Sequence, residues 1–191
     1  MRSIRPALTA VCLAALLVPA GCGNSTIKES AAKSDAGSST SDQKPKGYPN
    51  QTRTACEILS REVATSMLGS VGEDSPPVPD TSSADVKVSS CVRANAVATL
   101  DQARSVSLLM RIARTGTGAQ TNASAFAPGS VPGGAQDVLG IGQQAFWNPA
   151  LGQLNILDNG NWYIVSSGPI DPRKHTLTDS AKLAKAIIDK L

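Results

Sequence analysis

From residue 55 onward, the apolar positions of this chain switch between two spacings. Val86, Val88, Ser90 and Val92 alternate with polar partners and predict a strand. Val106, Leu108, Met110 and Ile112 alternate in the same way and predict a second strand over 106–113. Ala145 to Asn148, Gln153 to Leu157 and Trp162 to Ser167 read as three more strands. Pro149 to Gly152 supplies one turn between them. Asp158-Asn159-Gly160 supplies the other, because Asn and Gly tolerate positive φ. The helical spacing appears elsewhere. Ser60 caps a helix with Glu62 in its first turn, Val63 and Met67 on its core side and Gly69 at its stop. Residues 119–127 form a short helix carrying Phe126. Leu177-Thr178-Asp179 opens a last helix with Thr178 in the capping position, and Ala181, Ala184, Ile187, Ile188 and Leu191 form its apolar stripe. Pro76, Pro77 and Pro79 make 72–84 a loop. No internal repeat of fixed period is present. The expected class is α+β: an antiparallel sheet with N- and C-terminal helices packed on one face, and one disulfide.

Ahead of residue 55 the pattern is different. Arg2 and Arg5 precede an apolar stretch from Ala7 to Val18, which ends in Pro19-Ala20-Gly21-Cys22. A charged start, a short apolar run and small residues before a cysteine describe a secretory signal, here with a lipoprotein cleavage site. The apolar run is about a dozen residues, and a spanning helix needs ~20. Residues 1–21 are therefore expected to be removed and Cys22 to carry the lipid, although Pro19 stands where such sites usually place an aliphatic residue. Two or more acyl chains anchor stably where one binds marginally. Residues 23–54 are polar and small, with only Ile27 and Tyr48 available to a core. Such a segment buries too little surface to offset its ordering entropy. At roughly 5–6 Å times the square root of its length, it reaches about 30 Å. Three parts follow: a signal peptide (1–21), a lipidated cysteine with its tether (22–54) and a single α+β domain (55–191).

Charge excludes one class of partner. The full chain has 18 Lys and Arg against 15 Asp and Glu, but residues 56–191 have 11 against 12. Nucleic-acid binding needs a concentrated basic patch, and none is visible. Two Phe, two Trp and two Tyr leave the core to aliphatic residues. Of four cysteines, Cys12 leaves with the signal and Cys22 takes the lipid. Cys56 and Cys91 remain in an exported chain, where a disulfide is the default. Two buried thiols, or a metal pair lacking other ligands, are the alternatives.

Cys56-Glu57-Ile58-Leu59-Ser60, Leu68-Gly69, Cys91 in a strand, Val138-Leu139-Gly140-Ile141-Gly142-Gln143-Gln144-Ala145-Phe146 and the strand pair after it form a set. The set resembles a family of small actinobacterial cell-envelope lipoproteins catalogued as domains of unknown function. The resemblance covers roughly residues 55–191. It implies pairing of Cys56 with Cys91 and display on the surface of a Gram-positive, high-GC bacterium. It implies no catalytic residue. One departure is Gln143, where the family motif has an acidic residue.

Several residues invite a chemical reading. Gly140-Ile141-Gly142 matches a loose dinucleotide fingerprint, with Asp158 beyond it. That fingerprint must open a helix, whereas strands follow here, so a tight turn needing Gly140 and Gly142 is the better account. His175 is the only histidine and has no nucleophile or companion ligand in view, so it reads as part of a solvated loop. Asp137, Asp158 and Asp171 lie near turns, where Asp is common for backbone reasons. Trp162 and Tyr163 point to opposite faces of a strand. We expect Trp162 in the core under the last helix and Tyr163 at the surface. With Trp147, the pair also defines a possible binding face. No catalytic residue, metal site or cofactor is expected. The functional expectation is a non-catalytic, lipid-anchored binding module on the outer face of the cytoplasmic membrane, with an envelope protein or an apolar ligand as partner. One alternative is a carrier of an apolar envelope molecule, with a cavity lined by Leu108, Met110, Ile112, Leu154 and Ile156. Another is an envelope hydrolase.

Overall fold

A computed structural model of the chain describes residues 52–73, 80–97 and 99–191. The signal peptide, Cys22 and the tether up to residue 51 lie outside the described residues, as do Pro76, Pro77 and Pro79. The domain opens with two helices, α1 (Ala55–Ile58) and α2 (Arg61–Leu68). Each starts on a hydroxyl cap. Thr54 and Glu57 form a reciprocal capping box on α1, and the Ser60 hydroxyl accepts from the Val63 amide on α2. Gly69, at φ +80°, ends α2.

Seven strands follow in one antiparallel sheet: β1 (Thr81–Ser82), β2 (Val86–Ala94), β3 (Arg104–Ala113), β4 (Gln136–Asp137), β5 (Gln144–Asn148), β6 (Gln153–Asp158) and β7 (Asn161–Pro169). Their order is β1-β2-β3-β7-β6-β5-β4. After β3 the chain therefore leaves the middle of the sheet, forms α3 (Gly116–Ala125) and restarts at the far edge. It then returns strand by strand until β7 pairs with β3. The β6–β7 turn uses Asn159 at φ 47° and Gly160 at φ 75°. The last helix is α4 (Leu177–Ile188), capped by the Thr176 hydroxyl, which accepts from the Asp179 amide. The cap is thus Thr176 and not Thr178, and the helix begins two residues earlier than a Thr178 cap would place it.

Register assigns the two faces. Leu108 lies opposite Cys91 and Val165, Val165 opposite Leu154, and Leu154 opposite Trp147. Met110, Tyr163, Ile156 and Ala145 form the parallel row. These residues are buried and form one cluster with Ile58, Val63, Leu183 and Ile187 from the helices. The Cys56–Cys91 disulfide, with Cα atoms 5.0 Å apart, fastens α1 to β2 beside this cluster. Closing a loop of that span stabilises by roughly 4 kcal/mol in the chain-entropy account.

The helices are not gathered on one face. Asn122 of α3 bonds Arg111, whose side chain belongs to the opposite side of β3 from Met110. The physical reason lies in the strands. Trp162, Ile164, Leu109 and Phe146 are apolar and alternate with the first set, so both faces have apolar surface to cover. Phe126, at the end of α3, meets this second set, with ring centroids 4.8 Å from Phe146 and 6.4 Å from Trp162, both edge to face.

Candidate functional site

The residues expected to form a binding face do not share one face of the sheet. Tyr163 is 1 % exposed and Trp147 5 %, both inside the main cluster. Trp162 lies on the opposite face, half-buried, with its indole N–H donating to Asn155 Oδ1 at 3.1 Å. The expected roles of Trp162 and Tyr163 are thus reversed. Chain parity required them to point apart, and only the placement of α4 over β6 and β7 decides which of the two it covers. Leu108, Met110, Ile112, Leu154 and Ile156 are packed in the same cluster. They line neither of the two cavities described below.

His175 is not part of a solvated loop. Its Nδ1 lies 3.1 Å from the Gly152 carbonyl oxygen and its Nε2 2.7 Å from that of Pro169. The imidazole so joins the β5–β6 turn to the end of β7. The glycines beside it leave the room. A Cβ on Gly152 would stand 2.2 Å from Pro172 O, and one on Gly168 would stand 2.7 Å from the imidazole. Both ring nitrogens face backbone oxygens, which is a structural task. Asp171 is similarly engaged with its neighbour Arg173, whose side chain and then backbone hold the carboxyl below the ordinary aspartate value of 3.8. Asp158 accepts from the Asn159 side chain. Among the described residues, no group of three His, Cys, Asp or Glu side chains is placed to hold a metal ion.

The Gly-rich segment is where the surface becomes unusual. From Val138 to Gln143 the chain makes a tight passage with Gly140 at φ 76° and Gly142 at φ 62°. Gly142 also needs the space, since a Cβ there would stand 2.6 Å from Ile156 Cγ2. Ile141 turns inward into the main cluster, while Leu139, two residues earlier, is 93 % exposed. Gln143 has a structural partner, its side-chain oxygen accepting from the Asn159 amide at 3.0 Å. Gln143 thus braces the β6–β7 turn, a bond that a carboxylate oxygen would accept equally well.

Between this segment and the end of α3 lies a cavity of about 320 Å³. Phe126 and Phe146 form its aromatic wall, Val138, Leu139 and Ile141 its aliphatic side, and Gln144 and Asp137 part of its polar margin. It sits at the edge of the sheet, beside the two-residue strand β4. Sequence reasoning identified the glycines and Phe126 separately. It missed the cavity, because β5 and α3 meet only through the crossover to the far edge.

Comparison with family models, with curated proteins and with solved structures returns no match to this chain.

Proposed function

We propose that this chain is a non-catalytic, lipid-anchored lipoprotein of the cell envelope, related to the actinobacterial family its motifs resemble. It is held through Cys22 on the outer face of the cytoplasmic membrane and docks a partner protein of the envelope. The observation that carries this reading is the pairing of the 320 Å³ aromatic cavity with the 93 %-exposed Leu139 beside it. Large apolar side chains at that exposure, next to an apolar concavity, mark interaction sites. A cavity of this size lies at the small end of ligand sites and suits one or two apolar side chains of a partner better than a long acyl chain. The short, charged edge strand β4 is protected against indiscriminate strand pairing, so the side chains would supply the recognition. Among the described residues no helix is long and apolar enough to cross a membrane, and the anchor assigned to Cys22 supplies attachment in its place.

The test uses the full-length protein in its own membranes. A photo-crosslinking residue at position 139 should join it to one discrete envelope protein. Phe146→Ala should abolish the adduct, while fold and membrane attachment remain. Leu139→Ser should have the same effect on co-purification of that partner at unchanged stability. Adducts that form equally in the Phe146→Ala background would overturn the docking site. Cys22→Ala should release the protein into the medium; retention at the membrane would overturn the anchor.

A further inference from the structure

A second cavity, of about 330 Å³, lies on the other side of α3, above β2 and β3. Its floor is Arg111, and its walls include Thr81, Ser82, Ser83 and Thr121. We infer that this cavity is an oxyanion site, built to take a carboxylate or phosphate group of a small ligand on the Arg111 guanidinium.

The case rests on what holds Arg111 and what does not neutralise it. Its Nε donates to Asn122 Oδ1 at 3.2 Å. Asn122 is fully buried, and its amide nitrogen is itself fixed by donating to the Arg111 and Gly160 carbonyl oxygens at 3.0 and 2.9 Å. The guanidinium lies over the Trp162 ring, 5.3 Å from its centroid. Trp162 is in turn held by Asn155 and by the edge of Phe126. The planar group is therefore oriented by a buried amide on one edge and an aromatic ring on one face. Only one of its five N–H donors is used in this arrangement. Among the described residues the other four have no acceptor, and no carboxylate is paired with the group. A guanidinium so fixed offers a fork that matches two oxygens of a carboxylate or phosphate. Its orientation is set beforehand, so little freedom is lost on binding.

The surroundings fit an anion. The hydroxyl of Thr81, which shares a face with Val88 and Arg111, has no partner among the described residues and can donate to a bound oxygen. The Ser83 hydroxyl is already engaged with the Asp85 and Val86 amides. Arg114 adds a second positive charge at the rim, donating to the Ser83 carbonyl oxygen at 3.3 Å. Among the described residues, Asp80 pairs with Lys87 at 3.8 Å, and Asp85 accepts from the Thr115 hydroxyl. This site is independent of the docking cavity, so either can fail without the other.

The experiment is a nuclear magnetic resonance titration of the mature chain carrying Cys22→Ala, at constant ionic strength. Inorganic phosphate and acetate are the probes, and the Arg111 Nε–H and Trp162 indole N–H signals are the readout. The expected result is saturable movement of both signals with at least one anion, with a dissociation constant on the order of 1 mM. Arg111→Gln should weaken binding roughly tenfold or more, the usual consequence of losing a charged fork. If that variant disturbs the Asn122 and Trp162 signals of the free protein, the change Thr81→Val keeps Arg111 in place and should weaken binding about threefold. Vesicles of phosphatidylglycerol, set against phosphatidylcholine, separate the sources. Sedimentation with the anionic vesicles that Arg111→Gln abolishes identifies a lipid headgroup; phosphate binding without it identifies a free ligand. No saturation by either anion, or equal affinity in every variant, would overturn the site.

Discussion

The two faces of the sheet solve the same problem of cover in different ways. On one, Leu108, Leu154, Val165 and Tyr163 are at or below 1 % exposure and pack with residues of α1, α2 and α4 into one cluster, with the disulfide beside it. On the other, α3, of ten residues, is the one α-helix among the described residues. It contributes Phe126 and the buried amide of Asn122, and a cavity remains on each side of it. The first face is continuous and apolar. The second mixes aromatic contacts with a charged group held by a buried polar one. The first face is densely packed, whereas one narrow helix on a wide sheet leaves recesses at its margins. Under the proposed function, stability would reside on one face and recognition on the other.

The sharpest way to break that comparison is a matched pair of truncations. Leu154→Ala should destabilise by about 3–5 kcal/mol, since it opens a void in a closed core. Phe126→Ala should cost only about 2 kcal/mol, because its ring already borders open space and its neighbours can relax. Denaturant midpoints at equal slope measure both; equal losses would show that the second face is as tightly packed as the first.

A smaller effect separates the helix caps. Thr176→Ala should cost about 1 kcal/mol by removing the acceptor for the Asp179 amide on α4, and Thr178→Ala should be near neutral. Thermal unfolding of the two variants decides the matter, and the reverse order would move the start of α4.

The smallest effect is that of acid. The Glu57 carboxyl accepts from the Thr54 amide and then from its hydroxyl, which holds it below the ordinary glutamate value of 4.5. Asp171 is lowered in the same direction by Arg173. A carboxyl lowered by folding stabilises the fold above its unfolded value, and that contribution disappears as pH falls through the folded value. Stability should therefore be flat from neutral pH down to about 5 and decline below it. Glu57→Gln should reduce the decline in a pH series of unfolding midpoints. An unchanged slope would remove the capping box from the account.

The strands and helices were largely legible because their signals are local. Alternation of Val106, Leu108, Met110 and Ile112, the Asn159-Gly160 turn, the Ser60 cap and the Gly69 stop each depend on a few neighbouring residues. Misreadings arose where the deciding partner is far away in sequence. Thr178 resembles a cap as well as Thr176 does until the preceding residues are held by His175. His175 itself looked solvated because the carbonyl oxygens its ring faces, those of Gly152 and Pro169, belong to other elements. The candidate site was legible only in fragments. Gly140, Gly142 and Phe126 each stood out, but Arg111 was one more polar position on a strand.

What the sequence determined by itself, then, is the five longer strands and the helices α2, α3 and α4, the alternation of side chains along each strand, and the need for glycine at Gly140 and Gly142. These follow from backbone sterics and from periods of two and 3.6 residues, which act over one or two turns. What only the tertiary structure decided is which face each helix covers. That choice puts Tyr163 inside and Trp162 opposite it, brings Phe126 to Phe146, and leaves Arg111 at the floor of a cavity. It depends on strand order, with β7 returning to pair with β3 across more than fifty residues of chain. Local propensity cannot encode that pairing, because its free energy comes from surfaces that meet only once the whole sheet has formed.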